Sequence, residues 1–192
     1  MKKPFAALLA CALLFTVALV VADKPTIPAS TDDVLLDAEG WSYVGSVDGG
    51  VTYPVPSDCN WYELFDTERE AGILSLLGNA DCKIQLRAFQ PEQLTFEDFR
   101  ATIAAEPTAE ITLREEEEGV ILCYRNTAHT ADGELYGVAL TGLDGLLYKI
   151  SVFTGDSEDF SPEAPVWQIA ETIARYVRWQ DFSQWPIPGK QE

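Results

Sequence analysis

The spacing of apolar residues changes along this chain, and each change of period predicts an element. Trp41-Ser-Tyr-Val-Gly alternates aromatic and small residues, and Asp48-Gly49-Gly50 behind it reads as a hairpin turn. Val51-Thr-Tyr-Pro-Val-Pro follows. Its two prolines bring no N–H to a ladder, so the pattern predicts an edge strand. Ala71 to Leu77 and Lys83 to Phe89 form a strand pair joined through Gly78-Asn79-Ala80-Asp81. In the second of these, Ile84, Leu86 and Ala88 share one face while Lys83, Gln85 and Arg87 share the other, the period of a half-exposed strand. The period then lengthens. Leu94-Thr-Phe-Glu-Asp-Phe99 opens a helix with Thr95 as N-cap, Asp98 at the capping-box position, and Leu94 and Phe99 spaced as a hydrophobic staple. Pro107 ends that helix near Ala105.

Ile111 to Arg114 adds a strand before an acidic turn at Glu115 to Glu118. A three-strand meander follows: Val120 to Thr127, Leu135 to Thr141 and Leu146 to Thr154. Its links carry Ala131-Asp132-Gly133 and Leu143-Asp144-Gly145, and Asp-Gly between apolar runs is a strong hairpin signal. Ser161-Pro162-Glu163 predicts the start of a last helix, with Ser as N-cap and Pro at the first position. Val166, Ile169, Ala170, Ile173 and Val177 form its buried stripe. Strands, helix, meander, helix is the order of an α+β fold. The expected architecture is an antiparallel sheet with a C-terminal three-strand meander, one helix after the first strands, and a C-terminal helix packed on the sheet. The domain spans 34–179 and an aromatic tail spans 180–192.

Ahead of this body stands a targeting segment. Lys2 and Lys3 precede Phe5 to Ala22, eighteen residues in which only Thr16 is polar, and Asp23, Lys24, Pro25 and Pro28 follow. That order is a secretory signal over 1–22, with a flexible tether over 23–33. Two alternatives stay open: an uncleaved anchor, since the run just reaches spanning length, and a lipoprotein with its lipid on Cys11, since Leu8-Leu9-Ala10-Cys11 approximates a lipobox. Each exports the body, so an extracytoplasmic location is expected, with membrane contact only through an uncleaved or lipidated N-terminus.

Charge narrows the partners. The chain has 13 Lys+Arg against 31 Asp+Glu, a net −18. Loss of Lys2 and Lys3 with the leader leaves 11 against 31, a net −20. Such a surface repels phosphate backbones and argues against nucleic acid. Charged residues make up 23% and hydrophobic residues 47%, which excludes a disordered or fibrous chain.

Candidate chemistry is sparse. His129 is the only histidine, and Gly45-Ser-Val-Asp-Gly49 does not read as a nucleophile elbow, so a Ser–His–Asp apparatus has no support. The run Glu115 to Glu118 lacks the alternation of a calcium loop, and Asp156, Glu158 and Asp159 suit the N-terminus of the next helix as well as they suit a cation. No catalytic, cofactor-binding or metal residue is therefore assigned, and no cofactor is expected. Outside the leader stand Cys59, Cys82 and Cys123. Export allows a disulfide, and three thiols permit three pairings. Cys59 and Cys82, both near the starts of elements, are the favoured pair, and three unpaired thiols are the alternative. Trp179, Phe182 and Trp185 are candidate partner contacts, or cover a sheet or helix edge. Trp41, Tyr43, Trp61 and Tyr62 are candidates to line a groove for an apolar or sugar-like ligand.

The arrangement resembles a known one. A strand carrying Tyr53-Pro54, a strand pair, the helix opening Leu94-Thr-Phe-Glu-Asp-Phe99, a meander ending Leu147-Tyr-Lys-Ile-Ser-Val152, a gap from Asp156 to Pro162 and a final helix Val166 to Arg178 are similar to the PsbP/DcrB-like fold of small exported bacterial proteins. The resemblance covers roughly Asp48 to Arg178 and rests on element order. It implies a non-catalytic accessory protein and brings no site residues with it. The expected function is thus an exported, non-catalytic binding or accessory domain of a bacterial cell envelope, meeting an envelope protein or a small ligand. The alternatives are a hydrolase that uses carboxylates only and a partner-docking or inhibitor-like module that uses the aromatic tail.

Overall fold

A computed structural model describes residues 40–128, 130, 133–155 and 161–180 of the chain. The leader, the tether, His129, the Asp156–Asp159 acids, Phe182 and Trp185 lie outside the described residues. Within them, ten strands and three helices form two antiparallel sheets.

The first sheet begins with the predicted hairpin. β1 (Trp41–Ser46) pairs along its whole length with β2 (Val51–Pro56). Gly50 closes the turn at φ +60°, a left-handed conformation that glycine adopts without a Cβ penalty. β2 is not an edge strand, as its prolines suggested. β10 (Arg178–Trp179) flanks it on the other side, so the order is β1-β2-β10. The reconciliation is in the register. β10 pairs only with Thr52 and Val51, and that ladder stops before Pro54, where an N–H would be missing.

The second sheet runs β3-β4-β5-β9-β8-β7-β6. β3 (Asn60–Trp61), β4 (Ile73–Gly78) and β5 (Cys82–Phe89) stand on one side, and α1 (Asp66–Glu70) links β3 to β4. β6 (Ala109–Glu115), β7 (Val120–Asn126), β8 (Glu134–Thr141) and β9 (Leu147–Thr154) complete it. The predicted meander is thus β7-β8-β9, and β9 pairs with β5 from Cys82↔Thr154 to Phe89↔Leu147, which closes the sheet.

The two faces of this sheet bury different partners. α2 (Phe96–Ala105) starts where the sequence placed it. Thr95 accepts the Asp98 N–H at 3.1 Å and donates its hydroxyl to the Asp98 carboxylate at 2.7 Å. Leu94 and Phe99 pack in one apolar cluster with Leu122, Tyr124, Ala139 and Leu147, so the staple is part of that face's core. On the opposite face lies α3 (Pro165–Tyr176), which packs on β5, β8 and β9 and also on β2. Its stripe of Val166, Ile169, Ala170 and Ile173 joins Val51, Tyr53 and Val55 with Ile84, Leu86, Val138, Leu140, Ile150 and Val152 in the main core. The helix begins later than Ser161-Pro162-Glu163 suggested. Those residues form a turn in which Ser161 O accepts the Ala164 N–H, and Pro165, not Pro162, fills the first helical position.

The C-terminus of α3 is held by the outermost strand. Arg114 of β6 donates from Nη1 to the carbonyls of Ala174 and Arg175 and from Nη2 to that of Val177, while its Nε pairs with Glu116 at 2.7 Å. One guanidinium thereby satisfies three carbonyls that a helix end leaves without partners, and its charge sits at the negative pole of the helix. Lysine has the charge but not the planar fork. We expect Arg114→Lys to cost about 2 kcal/mol in urea unfolding. A loss under about 0.5 kcal/mol would show that the fork is unimportant.

Candidate functional site

Buried tyrosines on both faces of the large sheet end in polar contacts. Tyr124 lies opposite Gly137 of β8, and a Cβ on Gly137 would overlap the Tyr124 ring. The ring therefore lies over the glycine and carries its hydroxyl to Glu134 Oε2 at 2.8 Å. The register shift between Glu134 and Tyr136 sends Leu135 into the main core and leaves Glu134 on the α2 face. There Lys149 Nζ meets Glu134 Oε1 at 2.8 Å and lies 5.7 Å from the Phe99 ring centroid and 5.9 Å from that of Tyr124. This is a buried ion pair roofed by two aromatic rings. Glu134 is buried and Lys149 keeps 18% side-chain exposure, so the pair is set into the packing of the α2 face.

Tyr148 is held in a similar way at the other end. Its ring fills the space left by Gly49 and Gly142, Ser46 Oγ donates to its hydroxyl at 3.2 Å, and it donates to Asp144 at 2.7 Å. Burial above all pushes the phenols of Tyr148 and Tyr136 up to about 12, and pushes Tyr53 higher still, with the Ser75 hydroxyl opposing it there. The folded state thus binds these protons more tightly than the unfolded chain, whose tyrosines titrate near 10. Their contribution is complete below pH 10 and is lost as pH rises from 10 through about 12. The thermal midpoint should accordingly fall across that window, with phenolate absorbance appearing together with unfolding. Ionisation of every tyrosine near pH 10 in the folded chain would contradict it.

Two shallow clefts flank the sheet. One, of about 350 Å³, is lined by Glu110, Arg125, Asn126, Thr127, Pro162 and Trp167. The Arg125 guanidinium lies over the Trp167 ring, 4.2 Å from its centroid, and the indole N–H donates to Ser161 O at 3.0 Å. The other, of about 360 Å³, lies at the N-terminus of α2 between Leu94, Phe96 and Leu147. The first presents the Arg125 guanidinium stacked on the Trp167 ring, a group suited to an anionic or planar ligand.

The apolar surface is concentrated elsewhere. Trp61 is 54% exposed, Tyr62 40%, Phe65 73% and Leu74 47%, and all four lie between the start of β3 and β4. β3 is the outer strand on that side, held through Asn60↔Gly78 and Trp61↔Leu77 and by the Tyr62 N–H on Leu76 O at 2.9 Å. Trp61 on this edge, with Tyr62 and Phe65 in the residues that follow it, forms an apolar rim in sequence on an acidic chain. Trp61 and Tyr62 were visible in sequence as aromatics, whereas Phe65 and Leu74 were not singled out. Their signal was weak, because an exposed Phe at a helix N-cap looks like any loop residue. Trp41 packs against the main core and Tyr43 lies beneath the Arg178 guanidinium, so these two stand with the small sheet and not with Trp61 and Tyr62.

Of the remaining candidates, Trp179 is 9% exposed, and its indole N–H donates to Thr141 O at 2.7 Å. It joins the main core from β10. Glu115 ends β6, Glu116 pairs with Arg114, and Glu117 and Glu118 are exposed in the turn to β7. Cys59 is half-buried just ahead of β3, Cys82 is buried at the start of β5, and Cys123 is buried in β7. Among the described residues no group of three or more His, Cys, Asp or Glu is placed to hold a metal ion, and no helix is long and apolar enough to cross a membrane.

No protein-family model and no curated protein matches the chain. Among solved structures it is similar to the solution structure of cyanobacterial PsbP (CyanoP) from Synechocystis sp. PCC 6803. That likeness spans 81% of this chain and 99% of the other, with 13% identity and a TM-score of 0.48. It is a likeness of fold alone.

Proposed function

We propose that this chain is an exported, non-catalytic binding or accessory domain of a bacterial cell envelope, and that it meets a protein partner through the rim around β3. The observation that carries this reading is the exposure of Trp61, Tyr62, Phe65 and Leu74 along the segment from β3 into β4 of a chain with net charge −18. Large aromatic side chains left in water lose the burial that stabilises them elsewhere, and they are the side chains that anchor interfaces. The leader-like order of Lys2, Lys3 and Phe5 to Ala22 supports the envelope as the compartment.

A photo-cross-linking residue placed at Phe65 of the full chain, in cells, tests this. The comparison position is Leu143, which is 55% exposed between β8 and β9. A discrete adduct at 65, absent at 143 and weakened by Trp61→Ala, is expected in the envelope fraction. Equal labelling at both positions, no adduct at 65, or recovery of the chain in the cytosol would overturn the proposal. So would substrate turnover by the purified chain that one carboxylate substitution abolishes.

A further inference from the structure

The corner where β3 meets the β4–β5 hairpin brings two thiols together. Asn60 lies opposite Gly78, and Gly78 lies opposite Lys83, so β3 and β5 run in the same direction on either side of β4. The residues one step earlier, Cys59 and Cys82, therefore reach the same level and flank Asn79. The Asn79 side chain ties both approaches. Its Nδ2 donates to Asp58 Oδ1 at 2.9 Å, and its Oδ1 accepts the Cys82 backbone N–H at 3.0 Å and the Cys82 thiol at 3.5 Å. Cys59 packs against the main core, of which Cys82 is a member, and each thiol is the strongest influence on the other's titration.

We propose that Cys59 and Cys82 are a redox pair that closes to a disulfide, with Cys59 attacking and Cys82 resolving, and that the co-reactant is a low-molecular-weight disulfide of the glutathione type. The Cys59 thiolate attacks one sulfur of that disulfide, forms a mixed disulfide and expels a thiolate. Cys82, on giving up its proton, attacks Cys59 Sγ and expels the second thiolate. The outer disulfide gains the two electrons that the pair loses, and the two protein protons end on the two released thiols. The order of attack follows from exposure: Cys59 is half-buried and reachable from solvent, while Cys82 is buried. The neighbouring Cys82 also holds Cys59 below the ordinary thiol range, and Cys59 together with burial raises Cys82. Cys123 is buried in β7, with burial pushing it up to about 11, and serves as an internal control. The pairing holds whichever partner the β3 rim meets.

The test equilibrates the full chain in glutathione buffers of increasing oxidation, alkylates free thiols and maps the peptides. The expected product is one cross-linked peptide joining Cys59 to Cys82, lighter by two hydrogens, with Cys123 alkylated on unfolding at every ratio. Tethering residues 60–81 should raise the thermal midpoint by about 10 °C over the reduced chain. Cys59→Ser substitutes a half-buried position, so the fold should be retained, and it should abolish both the cross-link and the shift. Cys82→Ser should trap glutathione on Cys59. Alkylation of both thiols at the most oxidising ratio, or linkage through Cys123, would overturn the pairing. Glutathione on Cys82 in Cys59→Ser, with none on Cys59 in Cys82→Ser, would overturn the assigned roles.

Discussion

Lys149→Met is expected to destabilise the protein by about 3 kcal/mol at pH 7. The reason lies in what remains. Glu134 is 6% exposed, and without the Lys149 ammonium at 2.8 Å it loses its cation and keeps the hydrogen bond from the Tyr124 hydroxyl. A carboxylate in that position retains its desolvation cost and loses the opposite charge that offset it. The informative comparison is the cycle with Glu134→Gln. Glutamine keeps an acceptor for Tyr124 and removes the charge, so the double variant should recover about 2 kcal/mol relative to the sum of the singles. Lys149 retains 18% side-chain exposure, so Glu134→Gln alone should cost less than Lys149→Met. Urea unfolding of the four proteins measures the coupling, and additivity within about 0.5 kcal/mol would mean that the pair does not act as a unit.

Trp179→Ala should be the other severe change, at about 3–5 kcal/mol or roughly 10 °C in thermal midpoint. The residue belongs to a strand of only two residues, so its effect has to come from its side chain. The indole is buried in the main core beside Gly119 and hydrogen-bonded to Thr141 O. Alanine leaves both a cavity and a carbonyl deprived of its donor. Trp179→Phe separates these, because it keeps most of the volume and loses the bond, and should cost about 1–2 kcal/mol. A variant that melts with the parent would place Trp179 among the surface aromatics available to a partner.

Much of the fold was legible because its elements are long enough to repeat. β5 shows its two faces over eight residues, and Thr95, with Asp98 three residues on, marks a helix start that survives in atomic detail. The Asp-Gly hairpins were equally plain, since Gly145 stands at φ +82°, where few other residues are comfortable. What escaped has a common cause. β3 and β10 contain two residues each, too few for any period, yet β10 makes β2 a central strand and β3 is the edge that carries the aromatic rim. The helix start at Pro165 was ambiguous because Pro162 satisfies the same local rule, and only packing of Val166 and Ile169 selects between them. Arg114, Glu134, Lys149 and the Arg125–Trp167 stack were invisible for another reason. Their partners are set by strand order and by a bulge, not by spacing in the chain. Cys59 and Cys82 lie between these cases: their positions at element starts were readable, and their common level across β4 was not.

The hold of Arg114 on α3 has a dynamic consequence. β6 has a neighbour on one side only, and an outermost strand would ordinarily breathe independently of the rest. Here its guanidinium grips the last carbonyls of the helix that roofs the opposite core, so the strand cannot lift away without unfastening that helix end. Amide protons of β6 and of the final turn of α3 should therefore exchange with deuterium through one shared opening, and the frailest margin of the sheet takes on the persistence of its centre.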